Sequence, residues 1–439
     1  MSAPGVFGVY SRRMKIPQNI YMTGIGGIGM SALAQLLAQK GISVAGSDRD
    51  ESPTTALLGE KGILVDIGQR AENIPTDVRL LIYSDAIPES NLERMKARER
   101  GIPELSYFEA LGEISKGMRT IAVAGTHGKT TTTGMLAKIL QVAGKRPTAI
   151  IGSIVRDFGS NFLAGDPDLF VVEACEYRDH LLKLDPEILV ITNIELDHTD
   201  YFPTLDALVE TFRTAAHKVS HDGYIVTNPA GPNIARMLAG AAAHIVDYTQ
   251  EEVPELAQIG EFNRENARAA AAAARVAFPR LEQGTIDHAL ANFKGSWRRF
   301  EYKGETPEGA LVYDDYAHHP TAISKTIEAA RQKFPDKKIV VAFHPHLYSR
   351  TKSFLAEFAV ALASADRSLI APIYAAREVP DPSVSSRILA LRTCEIGGDS
   401  IAYDSFDEIR DELLTCGDDT LIITMGAGDI YKVAEQIAD

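Results

Sequence analysis

The chain has 439 residues, 45% hydrophobic and 24% charged, enough for two to four domains of about 100–200 residues each. Its 45 Lys and Arg against 59 Asp and Glu give a net charge of −14, which excludes a general nucleic-acid binder, since that needs basic surface. Cys175, Cys394 and Cys416 fit no zinc or redox spacing, no apolar run reaches the roughly 20 residues of a membrane span, and the opening MSAPGVFGVYSRRMK lacks the apolar segment of a secretory signal, so a cytoplasmic location is expected.

The first predicted strand is Asn19–Thr23, followed by Gly24, Gly26 and Gly29 in G-x-G-x-x-G register and a helix over Ile28–Gln39. Gly41 ends that helix, Ile42–Ala45 is the next strand, and Asp48 follows it about 20 residues past the glycines. This is the first βαβ unit of a doubly wound fold. The loop suits the diphosphate of any nucleotide, and the acid suits any ribose or base edge, so the motif alone does not require a nicotinamide. Strand Leu80–Ser84, a charged helix near Leu92–Arg100 and a helix over Phe108–Lys116 complete the unit, with a boundary at Gly117.

A second unit opens on AVAGTHGKTTTTGM, Ala122–Met135. An apolar run ends at Ala124, two glycines flank Lys129, and helical spacing is expected from Gly134 to Ala143. A strand, a glycine turn and a helix start form an anion site, because the first helical N–H groups lack internal partners and the helix dipole adds positive potential. Lys129 adds a point charge, and the Thr130 hydroxyl can ligate Mg²⁺. The general P-loop would have glycine at position 123, where this chain has Val123. Strands are expected at Ala149–Ile154, Leu169–Glu173, Ile188–Thr192, Tyr224–Thr227 and His244–Val246, then an alanine-rich helix over Asn263–Phe278.

A third unit begins near Arg298, with strands Leu311–Asp314, Ile339–Phe343, Leu369–Ile373 and Leu421–Thr424 and a helix over Thr321–Lys333. Alternating strands and helices imply parallel sheets. The expected architecture is α/β, three domains in series at 1–117, 118–297 and 298–439: a Rossmann-like domain, a central P-loop ATPase domain and a Rossmann-like C-terminal domain.

Ligands in such sheets sit beyond the carboxyl ends of strands. Glu173 and His198 both follow strands and can converge on phosphates, where a carboxylate and an imidazole suit a divalent ion; the other reading pairs Glu173 with a lysine and makes His198 a helix cap. His318 and His319 are adjacent and point apart, so one is expected to face a phosphate and the other to pack. Cys175 lies beside acids and reads as a nucleophile or as a buried thiol. His344, His346 and Ser349–Thr351 form a further polar cluster, with a solvated loop as the alternative.

Taken together, GIGGIGMS, GTHGKTTTT, VEACE, TNIELDH, GEFNRENA, WRRFE, DDYAHHPTA, HPHLYSRT, YAARE and MGAGDI resemble the Mur ligases, ATP-dependent amino-acid ligases of peptidoglycan synthesis, over essentially the whole chain. The resemblance implies ATP, two Mg²⁺ ions, UDP-N-acetylmuramate and L-alanine, joined through an acyl phosphate by a monomer or homodimer. A peptide in place of L-alanine is the alternative.

The resemblance also implies residue roles. Gly24, Gly26, Gly27, Gly29 and Met30 would hold the UDP diphosphate, with Asp48 and Ser84 nearby. Gly125, Thr126, His127, Gly128, Lys129, Thr130 and Thr131 would cradle the ATP phosphates. Thr130, Glu173 and His198 would hold the metals. Asn193, Asn263 and Asn266 would lie on the adenine side, while Arg299, Asp315 and Tyr316 would reach ATP from the third domain. Lys129, His198, His318 and Arg350 would be catalytic, with His346 and Arg350 near the amino acid. The chain departs from the family pattern at Glu173–Asp179, Phe262, Leu347 and Gln69.

Overall fold

The computed structural model describes residues 16–376 and 378–438. The opening stretch discussed above, and Arg377 of YAARE, lie outside the described residues. Three sheets follow one another along the chain.

The first sheet is wholly parallel. Its strands are β1 (Asn19–Thr23), β2 (Ser43–Asp48), β3 (Leu64–Ile67), β4 (Leu80–Tyr83) and β5 (Glu104–Ser106), in the order β3-β2-β1-β4-β5. The strand order reverses beside β1, where doubly wound sheets leave a crevice for ligand. The helix Ile28–Gln39 is buried without a break from Met30 to Leu37, because it lies between the first sheet and the β7–β8 pair of the second.

The second sheet holds β6 (Arg119–Ala124), β7 (Pro147–Val155), β8 (Ser160–Leu163), β9 (Asp166–Glu173), β10 (Ile188–Ile191), β11 (Tyr224–Thr227) and β12 (His244–Asp247), in the order β12-β11-β10-β6-β9-β7-β8. Only the β7–β8 pair is antiparallel. Successive side chains of β6 serve opposite faces. Ile121 and Val123 pack with the helix Glu261–Ala277, whereas Ala122 and Ala124 join a core continuous with that of the first sheet. Burial on both faces explains why these strands read as unbroken apolar runs. The alanine run Ala269–Ala274 is fully buried, and its small side chains let that helix lie close against the helix Lys129–Val142.

The third sheet holds β13 (Glu301–Glu305), β14 (Leu311–Asp315), β15 (Lys338–Phe343), β16 (Arg367–Ile370), β17 (Ser400–Ala402) and β18 (Thr420–Met425), in the order β13-β14-β18-β15-β16-β17. Here only β13 runs antiparallel to its neighbour.

Two sequence expectations need correction. The helix after the P-loop starts at Lys129, not Gly134, so the four threonines form its first turn. Asp48 is the last residue of β2 rather than a residue beyond it.

Candidate active site

The P-loop is a rigid cradle because the segment after β10 clamps it. Thr126 N–H donates to Asn193 O (3.0 Å), and the Thr126 hydroxyl donates to Glu195 O (2.9 Å). The Asn193 amide takes His127 N–H (2.9 Å) and donates to His127 O (3.1 Å). Asn193 is therefore a brace of the loop. Gly125 (φ +126°) and Gly128 (φ +83°) need glycine twice over: the left-handed region penalises a side chain, and a Cβ would strike Thr192 Oγ1 or Asn266 Oδ1 respectively.

Lys129 Nζ donates to Gly125 O (2.6 Å), Thr126 O (3.1 Å) and both carboxylate oxygens of Glu176 (3.0 and 2.9 Å). Glu176 is almost fully buried and also meets His198 Nε2 at 3.4 Å. The carboxylate that His198 meets is thus Glu176, not Glu173. Burial alone would push Glu176 up, but the Lys129 ammonium and the His198 ring hold it below the usual carboxylate range. Burial likewise opposes the charge on Lys129, and Glu176 outweighs it, so the lysine stays charged. The sequence clue to Glu176 was its place three residues after Glu173, in the loop leaving the same strand end.

Glu173 takes a hydrogen bond from the Thr130 hydroxyl (3.1 Å) and another from Gly152 N–H (2.7 Å). A Cβ at Gly152 would fill the space of that carboxylate. Arg299 Nη2 reaches Thr130 Oγ1 (3.3 Å) from the third unit, and its buried Nε has no protein partner among the described residues. Asp315 accepts N–H groups from Phe300 (2.7 Å) and Ala317 (2.7 Å). Its burial, only partly offset by Arg299, raises its pKa to about 6. Both oxygens hold backbone, so Asp315 shapes the wall where Arg299 enters.

Lys129, Thr130, Glu173, Arg299 and Asp315 border one cavity of about 380 Å³, with Glu176 buried behind it. Thr126–Thr131, Glu173, Asn193, His198, Asn263 and Asn266 line it from the central unit, and Arg299, Asp315, Tyr316 and His318 line it from the third. Ile28 lines it from the first glycine loop. Asn263 and Asn266 are bonded to each other (3.2 Å) at the start of their helix. Burial and the nearby Arg350 keep His318 well below the ordinary histidine value, hence neutral. Cys175 also lines the cavity, and burial beside Glu176 pushes its thiol up to about 12. That is the inert thiol, not a nucleophile.

Arg350 and His346 are not in the cavity wall. Arg350 is buried, and its Nε and Nη2 donate to Asp197 Oδ1 (3.1 and 2.6 Å), while Nη1 lies 3.2 Å from His346 Nδ1. This ion pair joins the third unit to the segment after β10, and Asp197 itself lines the cavity. His319 Nε2 meets Leu196 O (3.1 Å) across the same boundary, so His319 is the packing member of the tandem pair.

The first glycine loop is arranged differently. Gly26 N–H donates to Asp48 Oδ2 (2.8 Å) and Arg49 N–H to Asp48 Oδ1 (2.8 Å). Gly24 has φ +79° and lies against Ser84 Cβ, and a Cβ at Gly29 would collide with the Tyr107 ring. Behind this crevice the buried Glu93 accepts from Tyr21, Thr23, Ser47 and Asn73.

Three family models match in series: "Mur ligase family, catalytic domain" over residues 19–119, "Mur ligase middle domain" over 123–258, and "Mur ligase, glutamate ligase domain" over 298–428. A UDP-N-acetylmuramate–L-alanine ligase of Lachnospira eligens is 38% identical, covering 96% of this chain and 98% of that relative. The chain belongs to the Mur ligase family. A second Mur ligase relative, the UDP-N-acetylmuramate–L-alanine ligase of Rubrobacter xylanophilus, is 38% identical over 95% of this chain and 99% of its own length. Among solved structures, the UDP-N-acetylmuramate–alanine ligase of Thermotoga maritima superposes with a TM-score of 0.80 at 26% identity, covering 95% of this chain and 98% of that one. A murein peptide ligase of Psychrobacter arcticus gives 0.72 at 24% identity, covering 96% and 100%, and shares the fold. The Mur ligase assignment makes the chain an ATP-dependent ligase that forms amide bonds. No helix among the described residues is long and apolar enough to cross a membrane.

Proposed function

We propose that the chain joins L-alanine to the lactyl carboxylate of UDP-N-acetylmuramate at the expense of ATP. The observation that carries this reading is the meeting of Lys129, Thr130–Glu173, His198 and Arg299 around one cavity, with Glu176 buried behind Lys129 and His198, in a chain whose relatives over nearly its whole length are named for that reaction.

A carboxylate is a poor acyl donor, so it is first activated. A lactyl carboxylate oxygen attacks the γ-phosphorus of ATP, the bond to the bridging oxygen breaks, and ADP leaves. The alanine amine then attacks the acyl carbon, phosphate departs with the attacking oxygen, and the amine gives up a proton. Two anions meet in the first step. Lys129 would therefore turn from Glu176 to the β/γ-phosphates, and Arg299 would add charge from the third unit. The hard oxygen donors of Thr130 and Glu173 fit Mg²⁺, and His198 stands where a second ion would be held. Mg²⁺ bound there supplies charge neutralisation between phosphate and carboxylate. Neutral His318 spends its Nδ1–H on Tyr316 O (2.9 Å), so it would turn an unprotonated Nε2 toward the cavity and take up a proton there rather than donate one. Gly24–Met30, Asp48 and Ser84 would receive the UDP end, with domain limits at 1–117, 118–297 and 298–439. One chain builds the whole cavity, which suits a monomer or a homodimer, and the reaction belongs in the cytoplasm with its ATP.

The test is phosphate release with UDP-N-acetylmuramate and a panel of amines. Release that depends on both sugar nucleotide and L-alanine is expected. Release with a tripeptide and not with L-alanine would transfer the reading to a peptide-recycling ligase.

A further inference from the structure

Three side chains take no step in the chemistry above, although one of them, His127, belongs to the P-loop. His127 in the P-loop, Glu195 four residues beyond β10, and His319 at the N-cap of the helix Pro320–Lys333 bring their donor atoms within 4.8 Å of one another. We propose that these three residues bind a borderline-soft divalent cation, Zn²⁺ in the first instance, and so fasten the P-loop to the third unit.

The geometry is close to what such an ion needs. Zn²⁺ held tetrahedrally by N and O ligands at about 2.0–2.2 Å has donor atoms about 3.3–3.5 Å apart. His127 Nε2 and Glu195 Oε2 are already 3.2 Å apart. The two imidazoles face each other at 4.8 Å between centroids, tilted by 52°, so a small side-chain rotation brings in the third donor. His319 is also held as metal-binding histidines are, with one ring nitrogen bonded to a backbone carbonyl so that the other is aimed at the ion. Its Nε2 lies 3.1 Å from Leu196 O, and its Nδ1 makes only a 3.3 Å contact with Thr321 N–H, which the cation would replace.

The donor set separates this site from that of Mg²⁺. Two imidazoles and one carboxylate suit Zn²⁺, whereas Thr130 and Glu173 offer oxygen alone. Three protein ligands leave a fourth position open, and His127 and His319 both line the cavity, so that position is reachable. The site stands independently of the ligase reading, because the donors are read without ATP or turnover.

The test uses the full-length chain stripped of metal with a chelator. Zn²⁺ is titrated by calorimetry, and Co²⁺ is followed by its visible spectrum. One Zn²⁺ per chain is expected, with a Co²⁺ spectrum of tetrahedral intensity and no thiolate charge-transfer band. Glu195→Gln and His319→Gln, checked for folding by circular dichroism, should each weaken Zn²⁺ binding by about 100-fold or more, and millimolar Mg²⁺ should not compete. A wild-type chain that takes up no Zn²⁺, a Co²⁺–thiolate band reporting an exposed cysteine, or undiminished binding in the folded variants would overturn the proposal. The wild-type spectrum decides the matter even if a variant does not fold.

Discussion

The chain carries two strand–glycine–helix turns that are alike in sequence style and unlike in their charges. At Gly24–Met30 the loop's own N–H at Gly26 is satisfied by Asp48, a carboxylate from the next strand. At Gly125–Thr131 the helix begins on Lys129, whose ammonium is held by the buried Glu176. Glycines shape both turns, but the neighbouring charges set their tasks. In the reading proposed above, the first turn would hold the end of the substrate that does not react, and the second would present a cation where a phosphoryl group crosses.

Replacing the lysine separates the two turns most sharply. Lys129→Ala should lower kcat by about 10³-fold or more, about 4 kcal/mol of transition-state stabilisation, while affinity for the sugar nucleotide measured by calorimetry changes little. Loss of sugar-nucleotide binding with kcat preserved would reverse the assignment of the turns. Glu176→Gln tests the resting pair: it leaves a buried ammonium without its counter-charge, and breaking such a pair costs about 3–5 kcal/mol. Denaturant unfolding should show that loss, and an unchanged midpoint would mean that Lys129 does not rest on Glu176. Asp48→Ala should have a smaller effect, about 1–2 kcal/mol for a freed N–H, read as a KM for the sugar nucleotide raised about tenfold with kcat kept. A fall in kcat alone would blur the distinction between the two turns.

The smallest effect is on pH dependence. Burial and the neighbouring His127 hold His319 down at about 4, so the folded protein resists protonation that the unfolded chain accepts near 6.5. That stability is complete above about 6.5 and is lost as pH falls toward 4. Glu195, brought down to about 2 against its burial by the His127 hydrogen bond, adds a loss below its ordinary value of 4.5. Asp315, raised to about 6, acts oppositely: acidification through 6 relieves its buried charge. Melting temperature should therefore fall between pH 6.5 and 4, less steeply in His319→Gln and more steeply in Asp315→Asn.

What the sequence revealed followed burial. Interior strands such as β6, β10, β15 and β18 are covered on both faces and read as apolar runs. The strands that went unrecognised, β3, β5, β8, β13 and β17, all lie at sheet edges, where one flank meets no neighbouring strand and the run is short or polar. Leu64 in β3 is 77% exposed, so no burial pattern marks it. The site divides in a similar way. The P-loop itself, with its glycines, Lys129 and Thr130, was legible because a strand, a glycine turn and a helix start are contiguous in sequence. The partners of Asn193, His198 and Arg350 were not, because each is set by a segment distant in sequence, and only the fold brings Glu176 under Lys129 or Asp197 against Arg350.

The central claim is that the sugar nucleotide's own carboxylate is phosphorylated in the P-loop cavity before the amine arrives. UDP-N-acetylmuramate labelled with oxygen-18 in its lactyl carboxylate, turned over with ATP and L-alanine in ordinary water, tests it by the mass of the phosphate released. The account predicts one labelled oxygen in each phosphate, at a rate that collapses in Lys129→Ala. Unlabelled phosphate accompanying amide formation would contradict it.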